Sequence, residues 1–410
     1  MGLCVGTMGT GGRTGRERLL LDGKWGEKHV ELDNLASFQA GKQGKAFWKE
    51  YDLLAALAPI LGEEGLGLCD LPVVELGELE GEEGEEKAYV GAGAPILIRG
   101  GMGNWPDSSA FSLNSLVETH GGEDVSVKDP RRKGVVNLSA YAEYMEENSD
   151  ADPAYVFDGH LLENHADSLG TAYARPPGLE MNLWDGMPPE LKPETRWVLL
   201  GPARSGTPFH TDPFNTTAWN ALVEGHKLWA LYPKETYAPP GIYGSERPGM
   251  DPKLCLPPES WGGPAMCDTI SALEWFVHTA PGLGRGQAPV YCVQHPGDVM
   301  FVPEGYWHAV LNLDATVAVT ENSINRVNAR EMLEATKRAA FGEPEYAKVI
   351  AAMLDLWGQV YPDLFDEQDI AFVDYFVALR GQDPESALAA SGEGRKRKSR
   401  FSRFRGFRSN

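Results

Sequence analysis

GPARSGTPFHTDPFNTTAWNALVEGHKLWALYP, residues 201–233, read together with PGDVMFVPEGYWHAVLNL, residues 296–313, decides the fold. In an extended chain the side chains of residues i and i+2 leave the same face, so His210 and Asp212 in the HTD triplet can present an imidazole and a carboxylate to one point. PGDVMFVP reads as a turn entering a strand, and GYWHAVLNL places His308 at the start of the next strand, where a barrel would bring a second imidazole to the same point. Two imidazoles and one carboxylate on one face of an octahedron leave positions open, the arrangement of non-haem Fe(II) sites. An HxD triplet alone is weak, because chance produces it in many chains of this size and a lone histidine is more often a core or surface residue. His226 precedes Lys227 within its strand and receives no ligand role.

Outward from these segments lie further short β-rich runs divided by Gly, Pro and Asp: APILIRG, ARPPG, TRWVLLGP, HKLWALYP, DVMFVP, HAVLNL and TVAVTEN. Their spacing predicts an antiparallel sandwich or barrel. In TVAVTEN, Thr316, Ala318, Thr320 and Asn322 share one face and Val317 and Val319 the other, so a small, partly polar surface that leaves room for a ligand backs onto an apolar one. Between Pro239 and Pro289 the chain is dense in Pro and Gly without a clear period, which reads as long loops inserted between strands.

The flanks differ in kind. KAFWKEYDLLAALAPIL, residues 45–61, spaces Phe47, Trp48, Tyr51, Leu54, Leu57 and Leu61 as an amphipathic helix that Pro59 would kink or end. ELGELEGEEGEE, residues 75–86, carries seven Glu and no base, which predicts a solvated loop and a boundary. From Asn328 the pattern turns helical, with Met332, Leu333, Val349, Ile350, Met353, Leu354 and Trp357 on a stripe that must be buried against the barrel or a second chain. The last sixteen residues, RKRKSRFSRFRGFRSN, hold eight Lys/Arg and no acid, although the whole chain of 410 residues carries a net charge of −22. That acidic body argues against general phosphate-backbone binding and suits a basic partner. The tail reads as a nuclear-import signal ahead of an RNA contact through charge and its interleaved Phe401, Phe404 and Phe407; otherwise the protein would be cytoplasmic.

Five scattered cysteines without a CxxC pair suggest neither a disulfide framework nor a zinc ribbon, a usage suited to a reducing compartment. No stretch approaches 18 uninterrupted apolar residues, so no membrane partner is expected. The opening MGLCVGTMGTGGRTG follows no strand and lacks a signal-peptide pattern, so neither a phosphate loop nor secretion is indicated. The chain divides into an N-terminal region (1–90) with a helix and an acidic loop, a β domain (91–327), a C-terminal helical region (328–380) and a disordered basic tail (381–410).

PAYVFDGHL at 153, RWVLLGPARSGTPFHTDPFNTTAWNALVEGHKLWALYP at 196 and PGDVMFVPEGYWHAVLNLDATVAVTEN at 296 together resemble the Jumonji-C family of Fe(II)- and 2-oxoglutarate-dependent oxygenases. The closest likeness is to its arginine demethylase and lysyl-hydroxylase, phosphatidylserine-receptor-like branch. The resemblance implies a mainly β fold with helical additions around a double-stranded β-helix, a jelly-roll of the cupin kind. It implies that His210, Asp212 and His308 hold Fe(II), and that Lys227 in GHKLW pairs with the distal carboxylate of 2-oxoglutarate. Thr207 and Tyr155 would supply donors to that carboxylate, and Asn220, Thr320 and Asn322 would lie near co-substrate or metal. With O2 as second co-substrate, the implied activity is hydroxylation of a protein side chain, either lysyl hydroxylation or N-methyl demethylation, on a basic (Lys- or Arg-containing) substrate. The family also implies a homodimer through the C-terminal helices. The alternatives are a cupin-like metal-binding protein, against which Lys227 with Thr207 argues, or an interaction scaffold without oxygenase turnover, against whose decay the intact triad argues.

Overall fold

The structure, a computed structural model, describes residues 45–79, 93–129, 132–236, 239–241, 255–256, 266–267, 270–284, 286–342 and 346–381. Most of the acidic run, about half of the 239–289 insertion and the basic tail therefore lie outside the described residues.

Strands fall into two sheets. The larger contains β1 (Val73–Glu75), β2 (Ile96–Arg99), β13 (Val299–Val302), β8 (Thr217–Glu224), β15 (Thr316–Ser323), β6 (Arg196–Gly201), β5 (Tyr155–Asp158), β3 (Asp124–Asp129) and β4 (Arg132–Asn137), neighbours in that order. The smaller orders β10 (Cys255–Leu256), β11 (Met266–Cys267), β7 (Gly206–His210), β14 (Trp307–Asn312), β9 (Lys227–Tyr232) and β12 (Val290–Gln294). From β6 to β9 and again from β12 to β15 the chain steps between sheets, so consecutive strands face one another across a common interior. That is the double-stranded β-helix. Pairing is antiparallel throughout except between β1 and β2.

Period-2 alternation decides what each face does. In β9, Leu228, Ala230 and Tyr232 pack outward with Leu53, Leu57 and Leu61 of helix α1 (Leu53–Leu61) and with Trp275 and Phe276. Trp229 and Leu231 turn inward and meet Met300, Val302 and Leu97 from the opposite sheet. In β15, Val317 and Val319 pack outward among residues of α2 (Leu113–His120) and α3 (Leu138–Glu147), while Ala318 turns inward beside Tyr155, Leu199 and Leu222. Helices cover both outer faces, which is why β9, β14 and β15 are buried along their whole length.

Three expectations are revised. The amphipathic helix over 45–61 is split: a short helix Lys45–Lys49 is followed by α1, and Asp52, in an extended conformation, caps α1 by accepting the Ala55 amide at 3.0 Å. This rotates the buried stripe so that Leu53 is inside and Leu54 is exposed; Pro59 sits within the helix, which ends instead at Gly62, φ +55°. ARPPG forms no strand, since Pro176 and Pro177 cannot donate to a ladder. Among the described residues the cysteines do form one disulfide, Cys69–Cys292, because residue 69 bridges antiparallel to β12 across 223 residues of sequence, a pairing that no spacing rule reveals.

Helices α4 (Ala329–Gly342), α5 (Tyr346–Val360) and α6 (Glu367–Gly381) bury Met332, Leu333, Val349, Ile350, Met353 and Trp357 against Leu183, Trp184, Phe214 and Ile324. The predicted stripe thus packs on the barrel, with Leu354 only partly covered. Among the described residues no helix is long and apolar enough to cross a membrane.

Candidate metal and co-substrate site

The site begins with an irregularity. Along β7 and β14, His210 pairs with His308 but Thr207 pairs with Val310, so three steps on one strand match two on the other. Such a bulge resets the facing of side chains. In a regular ladder Thr207 and His210 would point to opposite faces. Here Thr207 shares the face of its partner Val310, which packs inside, while Phe209 packs outside. Pro208, which has no N–H to give a ladder, occupies the bulge.

His210, Asp212 and His308 each offer one ligand atom, and these atoms lie within 4.8 Å of one another. The two imidazole centroids are 4.1 Å apart, and His308 Nε2 stands 4.0 Å from Asp212 Oδ2. His210 Nδ1 lies 2.9 Å from the Pro208 carbonyl and His308 Nδ1 lies 3.1 Å from the Tyr306 carbonyl. A carbonyl can only accept, so both protons sit on Nδ1 and both Nε2 lone pairs are free for a cation. Asn322 Nδ2 donates to Asp212 Oδ1 at 3.0 Å, whereas the buried Oδ2 has no partner among the described residues. Burial holds the His210 imidazole well below its usual range, helped by the neighbouring His308, and pushes the Asp212 carboxyl up. Two imidazoles turned with Nε2 toward an under-satisfied carboxylate oxygen at this spacing fit a divalent transition metal, Fe(II) included.

On the same interior face Lys227 is 1% exposed, and its Nζ donates to Asn312 Oδ1 at 2.8 Å and Tyr155 Oη at 3.1 Å. No carboxylate pairs with it among the described residues. Burial pushes the Lys227 ammonium down to about 7, only partly offset by the charge of Asp314, and the same burial raises the Tyr155 phenol, which stays neutral. A cation held between two neutral acceptors in a closed interior is complementary to an acid that enters from outside. Lys227 is the ladder partner of Asn312, four residues along β14 from His308 or about 13 Å between Cα atoms. A short dicarboxylate held at the three ligands by one end would point its other end toward Lys227.

The remaining predicted residues divide. Asn220, on β8, is buried with its Oδ1 unpartnered among the described residues, as an interior ligand group would be. Thr320 instead spends its hydroxyl on the Trp219 carbonyl at 2.8 Å, so the structure ties it to the strand. Asn322 holds Asp212 and also donates to Thr216 Oγ1 at 2.9 Å. His226 is bonded to Asp314, away from the three ligands. Sequence reasoning missed Asn312; alternation from His308 through Val310 in HAVLNL was the signal that could have found it.

The chain matches the family model of the cupin-like domain over residues 82–322. It is 34% identical over 237 residues to the lysine-specific demethylase JMJ21 of Arabidopsis thaliana, covering 57% of this chain and 23% of that protein. It is 32% identical to the bifunctional arginine demethylase and lysyl-hydroxylase psr-1 of Caenorhabditis elegans, over 62% of this chain and 60% of that protein. It is 33% identical to the 2-oxoglutarate and iron-dependent oxygenase JMJD4 of Homo sapiens, over 36% of this chain and 31% of that protein. The matched stretch spans less than two thirds of each of these relatives.

Proposed function

The chain belongs to the cupin-like domain family, and on that premise we propose that it is an Fe(II)- and 2-oxoglutarate-dependent oxygenase that hydroxylates a protein side chain. The observation that carries the reading is Lys227: a fully buried lysine that no carboxylate among the described residues pairs with, on the same interior face as three convergent metal-binding side chains. A barrel that merely held a structural metal would have no use for that charge, and its burial costs stability.

His210, Asp212 and His308 would hold the iron and leave it open to its co-substrates. Iron with these co-substrates supplies a two-electron oxidation in which 2-oxoglutarate and O2 become succinate and CO2 and one oxygen atom enters a substrate C–H bond. The chain's own part is placement. Lys227 and Tyr155 receive the distal carboxylate, with Thr207 on β7, beyond β14 in the sheet of Lys227, and the Pro208 and Tyr306 carbonyls hold both imidazoles in the ligating tautomer. Asn322 fixes the carboxylate, and the packed sheet interior excludes water from the reaction. On an N-methyl group the hydroxylated product loses formaldehyde, which is demethylation.

The substrate class we propose is a basic protein segment, arginine- or lysine-containing. The acidic body favours it, and it agrees with the relatives named for arginine and lysine chemistry. The test incubates the purified chain with Fe(II), 2-oxoglutarate and Arg- or Lys-rich peptides, plain and N-methylated. Succinate release together with gain of one oxygen or loss of one methyl group by mass spectrometry supports the reading. No succinate with any peptide and no binding of 2-oxoglutarate rejects it. RKRK in the tail leads us to propose a nuclear protein, which a fluorescent fusion truncated after Gly394 tests, and residual RNA affinity lost with the same truncation would support an RNA contact. Exposed Phe341 and Val360 on the C-terminal helices favour a homodimer, tested by light scattering.

A further inference from the structure

Lys227 meets its ladder partner Asn312, not an acid, and the surroundings of Asn312 leave the amide no freedom. Ser205 Oγ donates its proton to the Pro202 carbonyl at 2.6 Å, so that oxygen can only accept from Asn312 Nδ2, which it does at 2.8 Å. With Nδ2 committed, Oδ1 must face Lys227 Nζ. The backbone is pinned as well: Asn312 N donates to Ser205 O and Arg204 N donates to Asn312 O, both at 2.9 Å. Gly201 completes the packing, since a Cβ there would stand 2.7 Å from Asn312 Nδ2 and collide with Ser205 as well. Asn312 is 0% exposed, so no water competes for this arrangement.

An aspartate would fit the same volume and form a buried ion pair with Lys227. The asparagine supplies the geometry of that pair without its charge. We infer that Asn312 is a specificity-determining residue, whose fixed neutral amide orders Lys227 while reserving the lysine's charge for the distal carboxylate of a 2-oxo dicarboxylate. The inference rests on the reading of the site as a 2-oxoglutarate site and adds the residue that makes an acid obligatory. Asn312 is a positioning residue, because it acts through Lys227.

The test is the ratio of affinities for 2-oxoglutarate and for 2-oxopentanoate, the same carbon chain without the distal carboxylate, titrated calorimetrically into the Mn(II)-loaded full chain. Wild type is expected to favour the diacid. Asn312→Asp fills the counter-charge internally and should weaken 2-oxoglutarate on the order of 10- to 100-fold, the range for a hydrogen bond to a charged group, while sparing 2-oxopentanoate. A merely structural role would weaken both equally. Ser205→Ala keeps the site neutral but frees the amide to turn its NH2 toward Lys227, and should lower the diacid preference roughly 3- to 10-fold. This variant carries the test if Asn312→Asp does not fold. An unchanged ratio in a folded variant overturns the inference. Wild type that binds neither acid overturns the reading of the site itself and takes the inference with it.

Discussion

Asn322 donates through Nδ2 to Asp212 Oδ1 at 3.0 Å, and this bond decides which carboxylate oxygen is left over: Oδ2, 4.0 Å from His308 Nε2 and without a hydrogen-bond partner among the described residues. Asn322 is itself held by its bond to Thr216 Oγ1, so the carboxylate is oriented before any cation arrives.

Asn322→Ala should therefore free the carboxylate to rotate and lower metal affinity by roughly 10-fold, the low end for loss of a group that orients a ligand. Mn(II) titration of the purified chain checks this. A variant that binds Mn(II) as wild type does would remove the orienting role, and Asn322→Asp should not restore the bond because it offers no donor.

Lys227 gives a pH dependence whose sign follows from burial. Its folded value of about 7 lies below the ordinary 10.5, so between those limits the unfolded chain binds a proton that the folded chain does not. This contribution therefore rises with pH across that window and is least favourable below it. Melting curves of the metal-free chain should show this rise, and Lys227→Met should lack it. At pH 6 the variant should be at least as stable as wild type, since it removes a buried charge with no counter-ion. It should also lose any thermal shift from 2-oxoglutarate, which in wild type should be larger at pH 6 than at pH 9.

Behind the metal loop, Phe214 and Asn215 hold φ values of 56° and 53°, a region costly for residues other than glycine. The Phe214 ring packs 5.4 Å from Tyr346 at the start of α5, and Asn328 Nδ2 donates to the Asn215 carbonyl at 3.3 Å. The C-terminal helices thus hold the turn that follows Asp212. Tyr346→Ala should cost about 3 kcal/mol of stability by emptying this contact and should also weaken Mn(II) binding, although residue 346 touches no ligand. Loss of stability with unchanged Mn(II) affinity would show that the turn keeps its shape unaided.

Much of this architecture was legible because alternation has a physical cause. TVAVTEN separated Val317 and Val319 from Ala318 and Asn322 correctly, since one face had to pack under helices and the other had to leave room. The same rule misleads at Thr207, where a bulge at Pro208 restores an inward facing that simple parity denies. Alternation in HAVLNL puts Asn312 on the inner face, but its role comes from Ser205 and Lys227, partners 107 and 85 residues away. Cys69 and Cys292 were hidden for the same reason. Helix limits at Asp52 depended on one capping bond, which periodicity does not report.

Glu321 separates Thr320 from Asn322 on β15 and faces the opposite way, where it is 0% exposed. Arg175 grips it at both oxygens, Nη2 to Oε1 at 2.6 Å and Nε to Oε2 at 2.9 Å, and Asn182 Nδ2 adds a third bond at 3.0 Å. Arg175 also donates to Asp185, so this network ties the segment after residue 173 to the back of the strand that carries Asn322. Removing only the cation strands a buried carboxylate, so Arg175→Met should cost about 3–5 kcal/mol. Removing both charges strands nothing, so Arg175→Met with Glu321→Met should recover most of that loss. If β15 is held in place through this pair, Mn(II) affinity should fall in the single variant and return in the double. Denaturant unfolding and Mn(II) titration of the four-protein cycle measure both quantities. Equal stability of the single and double variants would mean that Glu321 finds other partners, and the pair would then be a bystander to the metal site.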